Sequence, residues 1–158
     1  MRDYLIREIR VTELNLLKDF LYEAIFQRDD NSLLPRDIIY QPELWQYIEG
    51  FDSDQDDCLV AVVEEAPIGA IWRRILPGGY GNVDDSTPEL IISLYQEYRN
   101  RGIGTALMEE MLSRLKKAGY RQASLSVQRD NYAYQMYDQL GFRVVQELEG
   151  TAIMVCKL

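Results

Sequence analysis

A chain of 158 residues, 47% apolar and 27% charged, is the right size for one domain with its own core, expected here to span residues 1–158. It contains no histidine, which excludes Ser–His–Asp and Cys–His nucleophile pairs and histidine-ligated zinc, and any proton transfer must use carboxylates, tyrosines, lysines, cysteines or water. The net charge of −9 argues against a nucleic-acid surface and suits cationic ligands, though it serves solubility equally well.

Cys58 and Cys156 lie in apolar, strand-like segments and read as core residues rather than as a disulfide or a metal pair. Aliphatic runs such as Leu59–Val63 are far too short to span a bilayer. The first ten residues scatter charge among their apolar positions, so no signal-peptide core is expected and a cytoplasmic location is the default.

In chain order, Tyr4–Arg10 reads as a first strand. Thr12 is placed to cap a helix reaching Phe26, with Leu14, Leu17, Leu21, Ala24 and Ile25 on one face. Gln27–Asp37 is a polar connection. Pro42 and Gly50 bracket a short helix, and the acidic stretch Asp52–Asp57 is a solvated turn. A strand ending near Glu64 and another over Ile68–Leu76 form a hairpin, followed by a long glycine-rich loop, Pro77–Glu89.

Leu90–Tyr95 is branched and aromatic, as a strand requires. Ile103, Leu107, Met111 and Leu115, widened by Ala106 and Leu112, give the next helix an apolar stripe that ends at Gly119. The strand Ala123–Val127 alternates Ala, Leu and Val with Ser124 and Ser126. Asn131 then caps a helix whose stripe is Ala133, Met136, Tyr137 and Leu140. Phe142–Glu149 and Thr151–Leu158 pair around Gly150. The order is β-α-α-β-β-β-α-β-α-β-β, an α/β (α+β) domain with a largely antiparallel sheet.

The strand-to-helix junction Tyr95–Leu107 holds two arginines and two glycines. Glycines let backbone N–H groups approach a phosphate, the helix N-terminus favours negative charge, and Arg99 and Arg101 can add charged hydrogen bonds. The plain alternative is a tight turn with two solvated arginines. Two familiar phosphate sites do not fit. A dinucleotide fingerprint needs a third glycine where Leu107 stands, and no acidic residue lies near Gln122. A P-loop needs a lysine after Gly104, where Thr105 stands.

Arg99, Gly102 and Gly104 match the Arg/Gln-x-x-Gly-x-Gly/Ala motif of the GCN5-related N-acetyltransferases (GNAT), and Thr105–Val127 resembles that family's helix and next strand. Asn131–Phe142 resembles its second segment: an asparagine, an alanine and a tyrosine, ending in Leu-Gly-Phe. The resemblance covers Glu89–Phe142, about a third of the chain.

The resemblance implies a mixed, mostly antiparallel sheet of about seven strands flanked by about four helices. It implies direct acetyl transfer from acetyl-CoA to an amine, with no metal. The backbone of Arg101, Gly102, Ile103, Gly104, Thr105 and Ala106 would cradle the pyrophosphate; Leu94, Tyr95 and Gln96 would lie along the pantetheine arm; Asn131 would contact CoA. Tyr137 matches the family's proposed general acid, although its place on an apolar stripe also suits a core residue. Glu89 is the candidate base, with Asp84 and Asp85 as alternatives; an ordinary solvated acidic loop is the plain reading of all three.

The acceptor, a small molecule or a peptide, is expected to meet Leu17–Trp45 and Pro77–Pro88. Homodimers are frequent in the family, and neither nucleic acid nor membrane is an expected partner. The rival of another class is a CoA-binding sensor or interaction module without turnover, and a longer acyl donor is equally compatible.

Overall fold

The computed structural model describes residues 3–27, 33–52 and 56–158; residues 28–32 of the first polar connection and 53–55 of the acidic turn lie outside it. Seven strands form one sheet: β1 (Leu5–Glu8), β2 (Asp57–Val63), β3 (Ala66–Arg74), β4 (Glu89–Leu94), β5 (Gln122–Gln128), β6 (Arg143–Leu148) and β7 (Thr151–Lys157). Their order across the sheet is β1-β2-β3-β4-β5-β7-β6. Among the described residues four α-helices accompany them: α1 (Leu17–Ala24), α2 (Pro42–Trp45), α3 (Ile103–Lys117) and α4 (Ala133–Gln139). The order along the chain is the one expected from sequence pattern. Among the described residues no helix is long and apolar enough to cross a membrane.

The first helix ends at Ala24 and the short one at Trp45, both before the expected Phe26 and Gly50, and two further boundaries shift for local reasons. The first helical stretch opens as a 3-10 helix, Val11–Leu16, and Thr12 is not its cap. Glu13 reaches back instead and accepts the Arg10 N–H at 2.9 Å, while both its oxygens are gripped by Arg7 at 2.8 Å. The β2–β3 turn lies at Glu64 and Glu65, both with positive φ as a two-residue hairpin requires, so β3 starts at Ala66. A register shift between Ala61 and Val62 lets Pro67 sit in the ladder.

Alternation along the strands builds two cores, one on each face of the sheet. Leu90, Leu94, Ala123, Leu125 and Val127 pack with Leu107, Met108, Met111, Tyr137 and Phe142 on the α3/α4 face. Ile91 and Trp72 pack with Phe20, Leu21 and Tyr47 on the α1/α2 face. Glu89 and Ser93 share the face of Ile91: Ser93 donates to the Phe20 carbonyl at 2.7 Å, and Glu89 meets Tyr47. Phe20, Trp72, Leu107 and Phe142 are fully buried, so both layers are closed around the central strands.

Among the described strands only β4 and β5 run parallel, and they pair at a single register position, Glu89 opposite Ser124. Ser124 N–H donates to the Pro88 carbonyl at 2.9 Å, and beyond that point the two strands share no ladder pair. The sheet is therefore split along the rest of β4. Main-chain groups there have no strand to satisfy them, which makes the split a place for a ligand with amides of its own.

Candidate active site

A cleft of about 1130 Å³ follows the split from α1 to the start of α3. It is lined by β4 residues Glu89 to Leu94, by Leu125 to Gln128 of β5, and by Gly102, Gly104 and Thr105.

At its α3 end the two glycines serve different purposes. Gly102 caps the helix with φ +83, a left-handed conformation that side chains resist, although a Cβ there would touch nothing. Gly104 has ordinary helical φ; an added Cβ would meet the Met136 sulfur at 3.7 Å and a Leu94 methyl at 3.8 Å, so this glycine keeps the cleft wide. Ala106 N–H bonds back to the Gly102 carbonyl, leaving those of Ile103, Gly104 and Thr105 as the orphan donors of the first turn. That turn carries no acidic side chain, and the last turn holds Arg114, Lys116 and Lys117, so the whole dipole favours an anion at Gly102–Thr105.

The remaining expected cofactor contacts divide by position. Leu94 and Gln96 line the cleft; Tyr95 turns its ring to Phe20, 5.3 Å between centroids, and its N–H bonds to the Ile68 carbonyl. Arg99 lines the cleft while bridging the Leu94 carbonyl at 3.1 Å and the Glu23 carboxylate at 3.3 Å. Arg101 is exposed, its guanidinium 5.6 Å from the Tyr98 ring centre, and Ile103 is buried in the core. Asn131, expected to cap α4, stands one residue before the cap position Tyr132; its side-chain oxygen accepts the Ala133 N–H at 2.9 Å, and it also lines the cleft.

Tyr137 lines the cleft from the α3/α4 face. Its ring packs edge-on against Phe142, 5.9 Å between centroids, and its hydroxyl has no hydrogen-bond partner among the described residues. Burial, with the Tyr132 phenol nearby, pushes this phenol above its ordinary range.

Glu89 enters from the opposite face and is only 2% exposed. Its Oε2 accepts the Tyr47 hydroxyl at 2.6 Å and the Gly81 N–H at 3.0 Å; its Oε1 is buried without a partner among the described residues. Burial raises the carboxyl above the ordinary glutamate range, and those two hydrogen bonds oppose the rise. Asp84 is differently placed. It is exposed, holds Ser86 in a local turn, and is lowered by hydrogen bonds from Thr87 and Ser86; Asp85 is exposed beside it. Neither lines the cleft.

The glycine-rich loop belongs to this site. A Cβ on Gly79 would lie 2.2 Å from Glu89 Oε1, and one on Gly81 would lie 2.7 Å from the Leu125 carbonyl carbon. The glycines let the loop close over the carboxylate and against β5. Tyr47, which sequence reasoning did not single out, completes the group from 42 positions away. The glycines of Pro77–Gly81 were the only signal for it in the sequence, since a lone tyrosine in the turn after α2 carries none.

The geometry of Gly104 sets a first prediction. Gly104→Val fits the protein at ordinary contact distance, so the fold should survive, while the added methyls enter the cleft beside the free N–H groups. Calorimetry should show acetyl-CoA affinity reduced at least tenfold, about 1.4 kcal/mol. Unchanged affinity in the folded variant would remove this junction from the site.

The model of the Acetyltransferase (GNAT) family matches residues 21–142. An N-alpha-acetyltransferase of Saccharolobus solfataricus is 32% identical over 100 residues, a stretch that spans 58% of this chain and 59% of that protein. Among solved structures, a PaiA N-acetyltransferase from Thermoplasma acidophilum in complex with coenzyme A is 24% identical, covers 99% of this chain and 100% of that one, and has a TM-score of 0.73. A ribosomal-protein-alanine N-acetyltransferase from Brucella melitensis has a TM-score of 0.69 at 19% identity, covering 98% of this chain and 99% of that one. These two structures share the fold of this chain.

Proposed function

This chain belongs to the acetyltransferase (GNAT) family, and on that premise we propose that it moves an acetyl group from acetyl-CoA directly to a primary amine of a small molecule or peptide. The observation that carries the reading is the split between β4 and β5, with free helix N–H groups at one end and a buried carboxyl and a buried phenol on its two faces. The name of the archaeal relative supports an α-amine as acceptor.

The residues present fit the cosubstrate. Orphan N–H groups of Ile103, Gly104 and Thr105 suit a pyrophosphate, and the unpaired edge of β4 suits an arm that carries amides. Asn131, whose side-chain oxygen accepts the Ala133 N–H, keeps its side-chain N–H groups for the same ligand. Acetyl-CoA when bound supplies the activated acyl carbon and a thiolate leaving group.

The chain's own residues then manage two protons. An amine arriving from the α1/α2 face is protonated at neutral pH and must lose a proton before it can attack. Glu89 stands on that face with a bare oxygen and a raised pKa, both of which make it a better base. On the other face the Tyr137 hydroxyl, kept protonated by burial, is free to donate to the departing sulfur. A free thiol titrates near ~8.5, below a phenol near ~10. Desolvation in the cleft penalises the thiolate as it does the phenolate, which keeps the transfer feasible.

Amine-dependent release of free thiol tests the reading. Incubation with acetyl-CoA and a panel of amines, including tetra-alanine, should release thiol faster than acetyl-CoA alone. Tight CoA binding without amine-dependent release from any member of the panel would instead describe a sensor or interaction module.

A further inference from the structure

The two oxygens of Glu89 have unlike surroundings. Oε2 has two donors, Tyr47 Oη at 2.6 Å and Gly81 N at 3.0 Å, whereas Oε1 is buried with none among the described residues. The direction of the first bond is not ambiguous. Tyr47 Oη already accepts the Tyr80 N–H at 2.7 Å, so its single proton is left for Glu89. Tyr47 is 4% exposed, and its carbonyl is held by Trp72 Nε1 at 3.0 Å. The Tyr80 ring stacks on it at 6.4 Å, and Gln46 ties the same corner to the Gly78 carbonyl at 3.0 Å.

We infer that Tyr47 is a positioning residue for acetyl transfer: it fixes Glu89 through Oε2 so that the bare Oε1 is the atom that takes the acceptor's proton. This rests on the reading of Glu89 as the base.

Two features separate this role from mere satisfaction of a buried acid. A carboxylate that needed only satisfying would have partners on both oxygens, yet the donors converge on one. Gly79 also leaves room for Oε1 that any side chain would remove, since its Cβ would lie 2.2 Å away.

The other groups around the carboxyl do not compete for this task. Arg74, the register partner of Glu89 on β3, is turned to the Gln46 carbonyl at 2.8 Å and to Asp56 at 3.2 Å. Tyr80 presents its backbone N–H and its ring, with Glu43 beyond it, and β5 contributes Ser124 and Ser126. Burial and the adjacent carboxylate push the Tyr47 phenol far above its ordinary range, so it stays a donor throughout the working pH.

Tyr47→Phe keeps the ring and removes the one proton in question. In the full chain carrying 13C-labelled glutamate side chains, the Glu89 carboxyl carbon, assigned by its loss in Glu89→Gln, is followed by NMR against pH. Losing a hydrogen bond to the charged form should raise its midpoint by about one unit or more. The acid limb of kcat/KM, measured by thiol release with tetra-alanine as the probe acceptor, should move up by the same amount, with KM for acetyl-CoA little changed. Gly79→Ala should lower kcat in the same assay by pushing Oε1 aside.

A Glu89 midpoint that stays in place in Tyr47→Phe would overturn the assignment, and so would an acid limb that ignores a moved midpoint. Full turnover in Glu89→Gln would instead remove the base itself, a failure that the titration of Tyr47→Phe cannot imitate.

Discussion

Tyr137→Phe should lose about 10²–10⁴-fold in turnover, the usual range for a general acid. The substitution removes one oxygen and keeps the ring. The edge-on contact with Phe142 depends on the ring alone, and the hydroxyl has no partner among the described residues to be left unsatisfied. Melting temperature and acetyl-CoA affinity should therefore change little, which separates chemistry from packing in one variant. Steady-state kinetics with calorimetry and a thermal melt measure all three quantities. Turnover within a few fold of wild type would make Tyr137 a core residue and leave water to protonate the sulfur. Loss of CoA affinity alone would make the hydroxyl a cofactor contact.

Glu89→Gln should cost a similar factor near neutral pH, again about 10²–10⁴. The amide can still present an oxygen to Tyr47 and Gly81, so the local hydrogen bonds survive while the basic oxygen is replaced by an N–H donor. The sign of the pH dependence follows from the raised pKa. A base at Glu89 would work only when ionised, so wild-type kcat/KM should climb through an acid limb above the ordinary glutamate value of about 4.3. The variant should lack that limb and recover in part at alkaline pH, as the amine sheds its own proton near ~8 for an α-amine or ~10 for a lysine-like one. A loss independent of pH would point to a binding or structural role for Glu89.

The fold was legible because its signals are local. Apolar stripes such as Ile103–Leu107–Met111–Leu115 and the alternation of Ala123–Val127 each name an element and its buried face, and both faces are as expected. The cap at Arg10–Glu13 was missed because it depends on Arg7, a residue of β1, holding Glu13 in place. At the junction, sequence could mark Gly102 and Gly104 but not distinguish them; one answers to a φ and the other to the space beside Met136.

The group around Glu89 was the least legible part. The carboxylate, Tyr47 and the Gly79–Gly81 turn come from three segments, and nothing in any one of them states that they meet. Asp84 and Asp85 resemble Glu89 in sequence. Only the turn of the chain at Thr87 and Pro88, both buried, separates two exposed aspartates from a buried glutamate.

On the proposed reading the acetyl group passes from acetyl-CoA straight to an amine. Mass spectrometry of both the chain and the amines after incubation with acetyl-CoA tests it most directly. The expected result is an acetyl group gained by an amine of the panel, absent in Tyr137→Phe over the same interval, with the chain itself left unmodified. Bound CoA with no acetylated amine, or an acetyl group retained on the chain as an obligatory intermediate, would contradict it.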